Sequence, residues 1–168
     1  MSQAFDNRVP TPDSARQDWL ALLARAPLLI LDRVLTHHAE TAPTWLRRPE
    51  TGLMMIQGRI GGTGERFNLG EVTVTRCALR LAKNTVSDTV GVSYILGRDH
   101  LKAKLAAIAD ALLQDPDQFD IIESDLLVPV RQYLQQQQAH RQQNAQSTKV
   151  EFFTVARQVK ATNIEEGA

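Results

Sequence analysis

Apolar residues along the chain fall into stretches of two different periods. Trp19, Leu22, Leu23 and Ala26 recur at i, i+3, i+4 and i+7, which is one face of a helix. Asp13 or Ser14 can cap its start, because a short side-chain oxygen accepts a free backbone N–H. Pro27 disfavours helix at Ala26 and suits the first turn of a second helix over roughly Leu28–His38, with Leu28, Leu31 and Leu35 on its stripe. Thr41–Pro49 holds two prolines and reads as a loop. The period then shortens to two. Leu53–Ile60, Glu71–Leu81 and Thr89–Leu96 read as strands, the first two joined by the Gly-rich link GGTGERFNLG. In the second run Val72 and Val74 face one way, and Thr73, Thr75, Cys77, Leu79 and Leu81 the other. Three adjacent strands on short links predict an antiparallel meander.

Beyond the strands, Asp99 can cap a helix whose apolar stripe is Leu101, Leu105, Ile108 and Leu112, with Lys102 and Asp110 placed off it. Asp115-Pro116 stops that helix, and residues 117–130 read as mixed acidic chain closing at Pro129. Eight of the fifteen residues 132–146 are glutamine, a good helix former, and predict an exposed helix; a disordered linker is the alternative. Val150, Phe152, Phe153, Val155 and Val159 make an apolar end. One helix cannot easily hide both Phe152 and Phe153 against its own core, so this arm reads as an interface. The expected class is α+β: two N-terminal helices, a three-stranded antiparallel sheet, a following helix and a helical C-terminal arm. The expected division is a loose leader over 1–13, one domain over 14–130, and the arm over 131–168 ending in a disordered tail.

Composition narrows the function classes. The chain has 168 residues, with 19 basic and 19 acidic side chains, so it lacks the basic excess of a general nucleic-acid binder. Aromatics are only 5%, which leaves the core to Leu, Val, Ile and Ala. The single Cys77 excludes an internal disulfide and a multi-cysteine zinc site. No run approaches the roughly 18 apolar residues of a membrane span, and the first residues lack a secretory pattern, so a cytoplasmic protein is expected. The balanced total hides segregation: residues 47–104 hold ten basic and five acidic side chains, whereas 105–130 hold six acids and no base. The basic part would attract an anion if the fold gathers it on one face; alternation with acids on solvated faces is the plainer reading.

The sharpest local feature is Gly61-Gly62-Thr63-Gly64-Glu65-Arg66, flanked by Arg59. Such glycines permit positive φ and close approach, successive N–H groups can cradle an anion, and arginines can pair with phosphate. It is neither a Walker A loop nor a dinucleotide fingerprint, since it joins two strands and opens no helix. An ordinary hairpin loop is the plainer reading. Gly62 and Gly64 are the expected strained positions. Gly97-Arg98-Asp99, where a strand meets a helix start, is a second candidate, with capping by Asp99 as the alternative. His37, His38, His100 and His140 show no ligand spacing, Cys77 sits in a strand pattern, and no nucleophile–base set or carboxylate pair stands out. Neither a catalytic residue nor a metal site is expected.

Several ordered pieces carry a family likeness. Arg16-Gln-x-Trp19, Pro49–Leu53, Ile56-Gln57, Arg59–Phe67, Gly70, Thr75-Arg76, Arg80-Leu81, Tyr94–Asp99, Asp110–Leu113, Leu127–Pro129 and Val150–Thr154 together resemble the PhnG family, a subunit of bacterial carbon–phosphorus lyase. The likeness spans about residues 15–158 and is weakest in the leader, the Gln-rich stretch and the tail. It implies a required but non-catalytic subunit acting with PhnH, PhnI and PhnJ, PhnI being the most direct partner, with two copies per complex. The complex would form ribose 1-methylphosphonate 5-triphosphate from ATP and methylphosphonate with release of adenine. No cofactor would belong to this chain; the iron–sulfur cluster and S-adenosylmethionine would belong to a partner subunit. The alternative is a small stand-alone nucleotide- or phosphate-binding enzyme using the GGTGER loop.

Overall fold

The computed structural model describes residues 12–39, 43–81 and 89–147. Along the chain these form α1 (Pro12–Arg25), α2 (Leu28–Ala39), β1 (Thr44–Arg59), β2 (Arg66–Leu81), β3 (Thr89–Leu96), α3 (His100–Leu113), α4 (Pro116–Ile122), a π-helical turn (Glu123–Leu127) and α5 (Val128–Ser147). The strands make one antiparallel sheet in the order β1-β2-β3. Helix α3 lies across one face of it, α1, α2 and α4 pack around α3, and the π-helical turn packs against α1 and α2. The expected α+β class and meander are present.

Strands β2 and β3 bury alternate residues toward α3, whereas β1 has no buried residue. Thr75, Cys77, Leu79 and Leu81 of β2, and Gly91, Ser93 and Ile95 of β3, are buried, while Arg76, Arg80, Tyr94 and Leu96 are exposed. Helix α3 meets this surface with alanines: Ala103, Ala106, Ala107, Ala109 and Ala111 are all buried. Small side chains let the helix backbone come close. A Cβ on Gly91 would sit 1.9 Å from the Ala107 carbonyl oxygen, so only glycine fits there.

Asp110 departs from the expected stripe of α3. It is fully buried, whereas Leu101 is exposed. An Ala-rich helix can turn any face inward, and here a charge supplies the reason. Arg16 donates to Asp110 through Nε (3.2 Å) and Nη2 (2.7 Å), Trp19 through Nε1 (2.9 Å), and the Val92 backbone N–H adds a fourth bond (2.9 Å). Arg16 and Trp19 lie one turn apart on α1 and present two donors side by side. The carboxylate thus joins α1, β3 and α3, and Gln114 closes the far side by donating to the carbonyls of Val90 (2.8 Å) and Asp110 (2.9 Å). Trp19 also meets Phe119 of α4 in a tilted ring contact.

Other boundaries shift for local reasons. The first helix begins at Pro12, ahead of the expected caps, since proline fits a helical first turn. Strand β1 begins at Thr44, inside the expected loop, and carries Pro49 within the register shift between Arg47 and Glu50. Proline is tolerated there because β1 is an edge strand and bulged. Asp115 stops α3 as expected, but its side chain accepts from the Asp117 N–H (3.1 Å) and caps α4. The segment expected to be irregular is helical almost throughout: α4 runs through the π-helical turn into α5, and Pro129 sits at that irregularity, where the i→i−4 hydrogen bonds are already broken. The Gln-rich stretch is helix to Ser147 and almost wholly exposed. Residues 148–168, with Phe152 and Phe153, lie outside the described residues, as does most of the leader.

The Asp110 cluster sets a stability prediction. Removing one partner of a buried charge costs about 3–5 kcal/mol. Arg16→Ala should fall near the lower figure, because Trp19 and Val92 still donate. Trp19→Phe removes one hydrogen bond and should cost about 1–3 kcal/mol. Urea unfolding of the two variants measures both; equal, near-zero effects would mean the cluster is not a structural tie.

Candidate functional site at the tip of a projecting ribbon

Strand β3 covers β2 only from Val74 to Leu81, whereas β1 and β2 stay paired as far as Arg59 and Arg66. The last link to β3's end is the Gly97 N–H donating to the Thr73 carbonyl (2.9 Å). Beyond it β1 and β2 continue alone as a two-stranded ribbon. Seven residues at about 3.3 Å each place the tip roughly 23 Å beyond the sheet. Pairing passes from Ile56↔Gly70 to Gln57↔Asn68, leaving Leu69 as an extra, bulged residue.

The expected ten-residue loop is therefore half strand, with a short turn. Ile60–Gly62 make one 3₁₀ turn, and the Gly64 N–H donates to the Ile60 carbonyl (3.0 Å). Gly61 and Gly62 take φ +60° and +79°. Positive φ thus falls on Gly61 and Gly62, not on the expected pair Gly62 and Gly64. Gly64 is needed for space, because a Cβ there would lie 3.0 Å from the Ile60 carbonyl oxygen. Its N–H is engaged inside the turn. Thr63 and Glu65 are exposed.

The tip's charge comes from arginines. Arg59 and Arg66 are register partners directly across the ribbon, both exposed, and line an open groove with Gln57 and Gly58. Like charges opposite one another repel. Arg59 Nη1 donates to the Gly64 carbonyl (3.4 Å), and among the described residues neither guanidinium pairs with a carboxylate. Elsewhere in the basic stretch the plainer reading holds: Glu50 accepts from Arg76 Nε and Arg47 Nη1, each at 2.7 Å, and the Arg76 bond above all lowers its pKa.

The second candidate lies at the root of the ribbon. Gly97 has φ +96°, and its carbonyl accepts from Thr75 Oγ1 (2.7 Å). Thr51 Oγ1 lies 3.3 Å from Thr75 Oγ1 and 3.0 Å from His100 Nε2. Asp99 accepts from the Lys102 N–H (2.9 Å), the cap expected of it, and Arg98 is exposed. This corner lies the ribbon's length from Arg59 and Arg66, so the fold does not join the two candidates into one pocket.

The remaining reactive types are structural. Cys77 is buried, and burial pushes its thiol up to about 11. His140 is exposed and lies beside Asn144. Among the described residues no three His, Cys, Asp or Glu side chains gather as metal ligands, and no helix is long and apolar enough to cross a membrane. Sequence reasoning missed Asp110, whose only trace was one acid in a run of Ala and Leu with Arg16 and Trp19 one turn apart upstream.

Two outcomes follow. Gly62→Val should cost about 1–3 kcal/mol of local strain. Because the tip is remote from the core, hydrogen exchange of residues 57–68 should quicken about tenfold or more while global unfolding is unchanged. Cys77 should resist thiol reagents at pH 8 until the chain unfolds. Since its folded pKa of about 11 exceeds the ordinary value of 9.0, stability should decline as pH rises above that ordinary value. Fast native-state labelling would show that the thiol is open.

Comparison with known proteins places this geometry in a family. The family model described as phosphonate metabolism protein PhnG matches residues 14–158, which include both candidate loops and the Arg16–Trp19–Asp110 cluster. A curated relative is the alpha-D-ribose 1-methylphosphonate 5-triphosphate synthase subunit PhnG of Rhizobium meliloti (strain 1021). It is 39% identical over 145 residues, covering 84% of this chain and 88% of the relative. The chain therefore belongs to the PhnG family of phosphonate metabolism proteins.

Proposed function

We propose that the chain is a required, non-catalytic subunit of a multi-subunit alpha-D-ribose 1-methylphosphonate 5-triphosphate synthase. Such an assembly would replace the adenine of ATP by methylphosphonate. The partners are the PhnH, PhnI and PhnJ subunits, PhnI being the most direct, with two copies of this chain per complex. Iron–sulfur and S-adenosylmethionine chemistry belongs to a partner. The reading rests on the match to a named synthase subunit over most of both chains. The structure adds support of a different kind. Its buried acid and thiol hold the core, and the ribbon carries exposed Phe67, Leu69 and Met54 into solvent. Large apolar groups displayed this way suit an interface better than a self-contained active site. The stand-alone enzyme reading would need a nucleophile or base beside Arg59 and Arg66, and that groove offers only Gln57 and Gly58.

The test is adenine release from ATP and methylphosphonate. The isolated chain should release none, and the full set of subunits should lose turnover when this chain is omitted. Release by the isolated chain at the rate of the full set would sink the proposal. Arg66→Ala should weaken assembly, because Arg66 is read as meeting a partner carboxylate. Intact assembly with impaired turnover would assign Arg66 to a substrate phosphate. A variant that assembles and turns over fully would remove the tip from the site.

A further inference from the structure

We infer that the open edge of β2 over Arg66–Thr73 is a strand-docking site for an extended segment of a partner subunit, apolar at alternate positions and carrying a carboxylate opposite Arg59 and Arg66. The inference rests on the subunit role proposed above and names the surface through which it acts.

The edge is defined by backbone direction. Thr73's carbonyl points to the β3 side, since it accepts from the Gly97 N–H. Residues two apart in a strand share that direction, so the N–H and carbonyl of Glu71 face the same side. There β3 has already ended. Gly97, at φ +96°, turns the chain away into α3 and leaves a notch eight residues long, Arg66–Thr73, beside a strand paired only to β1. Typical strands run about 5–6 residues, so a full strand fits.

Side chains mark the same place. On the face away from the helices, Met54 pairs with Val72, Gly52 with Val74 and Gly58 with Phe67, while Leu96 of β3 stands opposite Val74 at the lip of the notch. Leu96 is 73% exposed and the bulged Leu69 62%. Val74 itself is already buried, so the exposed apolar strip consists of Met54, Phe67, Leu69 and Leu96. An isolated two-stranded ribbon is at best marginally stable in water. A third strand in the notch would satisfy the open edge and cover the strip by β-augmentation.

Charge selects the occupant. The far end of the edge carries Arg59 and Arg66 with no carboxylate partner among the described residues. A second copy answers this badly. Antiparallel self-pairing would drive one copy's Arg66 end toward the other's Gly97-Arg98 corner, and parallel self-pairing would set Arg66 against Arg66. Both oppose arginine to arginine. A segment of a different subunit bearing Asp or Glu at that position has no such conflict.

The experiment uses the full chain co-expressed with its partner subunits. Hydrogen exchange should slow at least tenfold at the outward amides of Phe67–Thr73 on assembly. Glu71→Pro removes one outward N–H and leaves the β1–β2 ladder intact, a position at which edge strands tolerate proline. It should reduce recovered complex about tenfold, while Glu71→Ala, which keeps the N–H, should not. Exchange in the assembled wild type does not depend on whether the proline variant folds. An assembly that forms with Phe67–Thr73 exchange unchanged overturns the docking site alone. A wild-type chain that joins no assembly overturns the subunit role and the docking site together. Equal effects of Glu71→Pro and Glu71→Ala, or a homodimer of the isolated chain protecting the same amides, also overturn it.

Discussion

The buried carboxylate of Asp110 is the constraint to which the body of this protein is arranged. A charge with no exposed surface is tolerable only when hydrogen bonds replace water, and here four donors do so. Those donors come from α1 and from the β3 backbone, while the acceptor rides on α3. Docking α1, seating α3 on the sheet and setting the height of α3 at Val92 are therefore one event. The small residues around it follow. Gly91 and the alanines of α3 let the helix come close enough for Asp110 to reach the Val92 N–H. A larger residue at 91 would lift the helix and strand the charge.

The stability built there does not extend along the chain. Leu79, Ile95, Leu105 and Ile108 fill a dry centre, but β1 and β2 run out of it for half their length. The ribbon has only its own cross-strand pairs to hold it. Segments of few buried contacts open at low free energy, and binding surfaces are drawn from such segments. Its tip combines two facing arginines with a turn whose positive φ at 61 and 62 favours glycine. A rigid body carrying a weakly supported, chemically specific arm suits a subunit that completes a neighbour. It suits a self-contained enzyme poorly, since nothing in the body converges on the arm.

Arginine content alone does not identify such a surface. Arg47 and Arg76 close on Glu50, and Arg16 is taken by Asp110. What separates Arg59 and Arg66 is register. They face each other across the ribbon with no acid in the same rung. Charge counts along the chain treat all these residues alike, and only strand pairing divides them.

The sequence by itself determined what depends on near neighbours. The stripes of Leu23 and Ala26, and of Leu31 and Leu35, the alternation of Thr75, Cys77 and Leu79, the cap at Asp99 and the exposed Gln-rich helix are consequences of period, capping and propensity. Each holds because one turn or one pleat decides which way a side chain points. The family likeness was legible in the same way, from short ordered pieces such as Arg59–Phe67. Other features needed distant partners, and tertiary structure alone decided them. Asp110 turned inward because Arg16 and Trp19, over ninety residues away, met it there. Pro49 joined a strand because β1 fell at the sheet's edge. The Gly-rich link became a projecting ribbon because β3 ended at Gly97, opposite the root of β2 rather than its tip. Local sequence sets which face a residue prefers; the length over which two strands remain paired is set by where the third one stops.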